Sequence, residues 1–169
     1  MFRAMRRNRQ ALSQEACADI LARGTSGTLA VLGEGGYPYA VPLSYLWEEG
    51  KIYFHCARQG HKLDAIQAEP KASFCVIDQD KVVPLEYTTY FRSVIVFGTV
   101  RILEDAAEKR AVIERLGRRY APEDRAEHLQ EVVEKEWDRL CLLELTVTSM
   151  TGKEAIELVR QREDTDTKT

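Results

Sequence analysis

Residues 37–47 constrain the fold more than any other stretch of the chain. Tyr39, Val41, Leu43, Tyr45 and Trp47 recur at every second position, a period that places them on one face of an extended strand. Pro38 and Pro42 interrupt the same run. Proline has no N–H to give to a ladder, so this strand must lie at a sheet edge or be locally irregular. The chain therefore calls for a β-sheet with one half-buried, proline-marked boundary.

Other segments supply the rest of that sheet. Residues 28–32 are a short apolar run, and Gly33-Glu34-Gly35-Gly36 turns the chain into 37–47. Glu48-Glu49-Gly50 closes a hairpin into 52–56. Residues 72–77, 88–103 and 141–147 complete six strands, the longest with Phe91, Ser93, Ile95 and Phe97 on one face. The polar stretch 78–86, which carries Pro84, reads as a loop. Helices are expected over 15–23, with Ser13 as N-cap and Gly24 as the stop, and over 61–68 after Gly60. Two more run from Asp105 to about 120, and to about 139 with Pro122 in the first turn. Strands joined mostly by turns, without alternating crossover helices, argue against a parallel α/β sheet and for an antiparallel barrel. The expected fold is mainly β with helices, a six-stranded antiparallel barrel. Apolar residues on both faces of the long strands suggest that one face packs against a second copy. A single domain is expected over 1–160, then a polar tail over 161–169.

At 169 residues and 44% hydrophobic, the chain is long enough to bury a core without disulfides or a structural metal. A net charge of −3 provides no global positive field, which argues against nucleic acid as a partner. The basic start (Arg3, Arg6, Arg7, Arg9) leads into no apolar h-region, and no run approaches the length of a membrane span. Neither a signal peptide nor membrane insertion is expected. Cys17, Cys56, Cys75 and Cys141 form no CxxC and no finger-like spacing. Free thiols in a reducing cytoplasm are expected.

The stretch 52–62 holds the densest chemistry: a strand end, a glycine turn, and a helix opening at His61-Lys62. A helix start offers free N–H groups and the positive end of a dipole. Lys62 and Arg58 add charge, and His55 and His61 add donors, which together make a phosphate cradle. The same residues also suit a solvated lysine and a core histidine, and the spacing leaves both readings open. His55, His61 and Asp64 lack a third nitrogen or sulfur ligand at zinc spacing, so no metal is expected. Ser44 and Ser93 lie in strand patterns rather than nucleophile elbows, and no P-loop or dinucleotide fingerprint is present. The aromatics around this region suit a core or a flat slot for a conjugated ring.

Five segments carry a resemblance: Gly36-Tyr37-Pro38-Tyr39-Ala40-Val41-Pro42-Leu43, Ile52-Tyr53-Phe54-His55, Gly60-His61-Lys62, Thr88-Thr89-Tyr90-Phe91-Arg92-Ser93-Val94-Ile95-Val96-Phe97-Gly98, and Met150-Thr151-Gly152-Lys153. In that order and spacing, over about residues 5–153, the chain resembles the nitroimidazole-resistance (Nim-like) branch of the pyridoxamine 5′-phosphate oxidase superfamily. The resemblance implies a split β-barrel that binds FMN in a groove between the two subunits of a homodimer. It places Pro42, Leu43, Ser44 and Tyr45 along the isoalloxazine, and His55 and Lys62 at the FMN phosphate or ribityl chain. His61 stands beside Lys62, Ser93 approaches the flavin from the long strand, and Trp137 covers the groove. A histidine near the flavin is implicated in the activity of Nim-like proteins. His55 and His61 compete for that role, and the exposed helix start favours His61. The implied activity is that of an FMN-dependent oxidoreductase acting on a small molecule, such as a nitroaromatic reduced to its amine. The alternatives are a flavin storage or sensing protein without turnover, and a binder of a tetrapyrrole or deazaflavin. Vitamin B6 oxidases of the superfamily carry a C-terminal arginine signature. Gly152-Lys153-Glu154-Ala155-Ile156-Glu157-Leu158 does not match it, so pyridoxamine-phosphate oxidation is not implied.

Overall fold

The computed structural model describes residue 2 and residues 5–166. Met1, Arg3 and Ala4 of the basic start, and 167–169 of the expected tail, lie outside the described residues. Helix α1 (Gln14–Arg23) opens where Ser13 Oγ accepts the Ala16 N–H at 3.1 Å, and it stops at Gly24. Strand β1 (Ser26–Leu32) then turns through Glu34–Gly36 into β2 (Pro38–Ser44). After β3 (Leu46–Glu48) and β4 (Lys51–Ala57) comes helix α2 (His61–Ala68). Two long strands follow, β5 (Lys71–Val83) and β6 (Thr88–Ile102), then helices α3 (Ala106–Tyr120) and α4 (Ala126–Glu136). Strand β7 (Leu140–Glu154) and helix α5 (Ile156–Asp166) end the described chain.

All seven strands form one antiparallel sheet in the order β2-β1-β5-β6-β7-β4-β3. The edges β2 and β3 are separated in sequence by Tyr45 alone. In a flat sheet they would lie about 25–30 Å apart, whereas one intervening residue spans about 7 Å at most. The sheet must therefore curl until its edges meet at Tyr45. Among the described residues no ladder joins the two edges, so the barrel stays split.

Tyr45 also accounts for seven strands where six were expected. Its N–H donates to the Tyr120 hydroxyl at 2.9 Å, and its phenol, 0% exposed, donates to the Leu21 carbonyl at 2.7 Å. With its backbone turned to a helix side chain, it leaves the ladder and divides the 37–47 run in two. Its alternating neighbours Tyr39, Val41, Leu43 and Trp47 do pack against the core, as the period requires.

The edge position of the proline strand is as expected, since β2 pairs with β1 only. Gly33 N–H donates to Tyr37 O at 2.8 Å, and hydrogen-bonded pairs recur every second residue in an antiparallel ladder. Tyr39, Val41 and Leu43 therefore turn their backbone groups toward β1. Pro38, Ala40, Pro42 and Ser44 turn theirs to the open edge, so neither proline costs a ladder bond.

Three other boundaries differ from expectation. Residues 78–83 continue β5 rather than forming a loop, paired with β6 as far as Val83 opposite Thr88, with a bulge at Asp78. None of its residues is buried, so its side chains carry no hydrophobic period to reveal it. Helix α4 starts at Ala126, because Asp124 N–H bonds the Ala121 carbonyl in a turn that holds Pro122 outside the helix. The segment from Gln161 is helical through Asp166, anchored by Arg162 on Glu154 at 2.7 Å.

The main core fills the curled sheet, where Phe74 meets Tyr45 and Phe54 edge-to-face at 5.0 and 5.1 Å. Helix α1 lies directly on β7 at Gly152, where a Cβ would stand 2.4 Å from Cys17 Sγ. A second cluster, with Tyr53 and Leu142 under Val112 and Leu116 of α3, covers the outer face of β4 and β7.

Candidate functional site

The turn Arg58-Gln59-Gly60 carries the chain from the end of β4 to the start of α2. Gly60 has φ 133°, which residues with a side chain rarely adopt. Its carbonyl accepts the Leu63 N–H at 2.9 Å, and among the described residues no side chain caps the helix. The N–H groups of His61 and Lys62 are therefore left for a ligand or solvent. Lys62 is half-buried, and among the described residues no carboxylate pairs with it. Its charge favours the thiolate forms of Cys56 and Cys141.

His61 points elsewhere. Its ring stacks on Tyr39 with centroids 4.4 Å apart and planes 25° apart. Gly33 permits this approach, since a Cβ there would lie 3.1 Å from His61 Nε2. His61 is exposed and lines a cleft of about 460 Å³ with Leu32, Gly33, Glu34 and Asp64. The His61 side chain thus goes to the β1–β2 corner. His55 is exposed on the outer face of β4, opposite Leu142. No described contact joins it to His61, and it is not a core histidine.

The remaining candidates lie on several elements. Pro42 and Ser44 are exposed on the free edge of β2, and Leu43 is half-buried against the core. Tyr45 is buried, and burial above all pushes its phenol up to about 12. Its hydroxyl, N–H and carbonyl all have partners within the chain. Ser93 is half-buried on the outer face of β6, opposite Ile77 on one side and Lys153 on the other. Trp137 lies in the turn after α4, packed on the second cluster, with Lys109 Nζ and the Arg110 guanidinium each 4.7 Å from its ring centroid.

The fold therefore joins Gly60, His61 and Lys62 at one helix start and links that start to β2 through Tyr39. Tyr45 and Trp137 pack within the chain, while His55 and Ser93 lie on other faces. Sequence reasoning did not find the Tyr39–His61 stack or the Cys56–Cys141 juxtaposition described below. Both join residues far apart in sequence, and no local period signals them.

A family model described as pyridoxamine 5′-phosphate oxidase matches residues 13–154. No curated protein matches the chain. Several solved structures share its fold. A candidate 5-nitroimidazole antibiotic resistance protein from Bacteroides thetaiotaomicron is 20% identical, with TM-score 0.69, over 85% of this chain and 86% of that one. A conserved hypothetical protein from Mycobacterium tuberculosis is 19% identical, with TM-score 0.76, over 89% and 90%. A FAD and heme binding protein from Mycobacterium smegmatis is 23% identical, with TM-score 0.68, over 86% and 73%.

Proposed function

This chain belongs to the pyridoxamine 5′-phosphate oxidase family, and from that premise we propose that it is an FMN-dependent oxidoreductase, active as a homodimer, that reduces a nitroaromatic such as a 5-nitroimidazole. The observation that carries the flavin reading is the start of α2. A half-buried lysine with no carboxylate partner among the described residues, beside helix N–H groups that no described side chain caps, is an unbalanced donor set. A phosphate monoester balances it, with Lys62 as the point charge and Arg58 at the rim. The free edge of β2 offers the N–H groups of Ala40 and Ser44 and the carbonyls of Pro38, Ala40, Pro42 and Ser44. A planar heterocycle with donors and acceptors on its rim suits such an edge.

FMN, when bound, supplies two-electron chemistry, and the protein supplies orientation and electrostatics. Stacking on Tyr39 holds the His61 ring in one orientation at the mouth of its cleft, where it can hold or give a proton. The fold shared with a candidate nitroimidazole resistance protein and with a FAD and heme binding protein supports this reading. Pyridoxamine-phosphate oxidation is not proposed. Residues 152–158 do not match the arginine signature, and Glu154 among them is buried against Arg92 and Arg162.

The test is the visible spectrum of freshly purified protein, with the released cofactor identified by mass. We expect about one FMN per chain, bleached by NADH or NADPH and restored by a 5-nitroimidazole. A colourless protein that takes up no added FMN overturns the cofactor assignment. Bound FMN that never cycles replaces the oxidoreductase with a flavin-binding protein for storage or sensing.

A further inference from the structure

Cys56 on β4 and Cys141 on β7 stand directly opposite each other in the antiparallel ladder. Opposed residues of such a ladder share a face, with Cα atoms about 4.5–5.5 Å apart. That separation falls within the range of about 4.4–6.8 Å that a disulfide spans. Both cysteines are free, and they lie together against the main core. Cys141 also lines an open cleft of about 330 Å³ whose lining includes Arg58, Gln67, Glu104 and Lys109. The Lys109 ammonium is held in place by the Leu140 carbonyl at 3.3 Å and by the Trp137 ring.

The two thiols are not equivalent. The hydrogen bond from Cys56, with the charges of Lys109, Arg58 and Lys62, holds the Cys141 thiol below its ordinary range against the effect of burial. The same hydrogen bond and burial push Cys56 up. A thiolate is the reactive form, and nearby cations favour it. The other two cysteines lack this setting. Cys17 is buried on α1 and Cys75 is half-buried on β5, and burial raises both with no cation to offset it, whereas three cations act on Cys141, itself only 6% exposed.

We propose that Cys56 and Cys141 form a redox-active thiol pair, with Cys141 as the attacking thiolate and Cys56 as the resolving thiol, oxidised by a small anionic disulfide that enters the Arg58–Lys109 cleft. The Cys141 thiolate attacks one sulfur of the reagent. Its S–S bond breaks, a mixed disulfide forms, and one thiolate leaves and takes up a proton. Cys56 then loses its proton and attacks the Cys141 sulfur. The Cys56–Cys141 bond forms and the second half of the reagent leaves as a thiol. The protein gives up two electrons and two protons, and the reagent is reduced to two thiols. The resulting bond ties β4 to β7 at the strand end that leads into the α2 cradle. The proposal does not depend on the flavin reading, because its readout is the state of the thiols.

The test incubates the full-length protein with glutathione disulfide and glutathione at stepped ratios. Free thiols are then trapped by alkylation, and the peptides are mapped by mass. The expected result is a Cys56–Cys141 cross-link that reduced glutathione reverses, with Cys17 and Cys75 still alkylated. Cys56→Ser should trap a glutathione adduct on Cys141, whereas Cys141→Ser should leave Cys56 unmodified. In the unmutated protein, Cys141 should alkylate about tenfold faster than Cys75. The proposal is overturned by four alkylated cysteines at every ratio, by adducts on Cys75, or by a Cys141 adduct in the unmutated protein that never resolves. Equal alkylation rates for Cys141 and Cys75 overturn the nucleophile assignment without reliance on any variant.

Discussion

Lys62 and His61 are adjacent in sequence and face different tasks. Lys62→Ala should weaken FMN binding about ten- to a hundredfold, since a hydrogen bond to a charged group is worth about 1.5–3 kcal/mol. The fold should survive, because among the described residues no carboxylate depends on that ammonium. Titration of flavin fluorescence measures the change, and an unaltered affinity removes Lys62 from the cradle. His61→Ala should lower turnover more than flavin content, because its ring packs on Tyr39 and faces the cleft. If His55→Ala has that effect instead, the working histidine is the one on the outer face of β4. The residue types of the cradle were legible in the sequence, where a glycine before His-Lys marks a helix start. The direction of each side chain was not, since it depends on which strands α2 packs against.

One buried carboxylate ties three neighbouring strands together. Glu144 on β7 reaches Lys51 on β4 at 3.0 Å and Arg101 on β6 at 2.9 Å. Burial pushes its carboxyl up, but the hydrogen bonds from Arg101 and Lys51 outweigh burial and hold it at about 2 against an ordinary 4.5. A carboxyl lowered on folding stabilises the fold above its unfolded value, and that contribution is lost as pH falls through the folded value. Between about pH 4.5 and pH 2 the protein should lose roughly 2–3 kcal/mol from this group alone. Urea midpoints across that range measure the loss, and Glu144→Gln should flatten the slope. Parallel curves for the two proteins would show that Glu144 does not carry the effect. Alternation marked the first half of β7, residues 141–147, as a strand, but not its full length. Residues 148–154 alternate weakly and are held by pairing with β6.

At the scale of the molecule, the outer face of β5 and β6 stays partly exposed. Val94, Val96 and Val100 of β6 point into the core, while Ile95 and Phe97 are 40% and 37% exposed on the other side. Ile77 of β5 is exposed as well, and the β5–β6 arm carries Leu85 and Tyr87 almost fully exposed. Exposed apolar surface of this kind marks an association site. We propose that it is the homodimer face. Ile95→Glu should convert the dimer to a monomer by light scattering and reduce bound flavin with it. A variant that stays dimeric with full flavin content places the interface elsewhere.

The sequence by itself determined the local features: strands from the two-residue period, the sheet edge from Pro38 and Pro42, and helix starts at Ser13 and Asp105. Each follows from forces between residues a few positions apart, so a short window contains the whole cause. Only the tertiary structure decided the curl that brings β2 and β3 together at Tyr45, the continuation of β5 through 78–83, and the pairing of Cys56 with Cys141. These depend on register between distant segments. A shift of one residue would turn every side chain of a strand to the opposite face, and nothing within the strand itself specifies its partner.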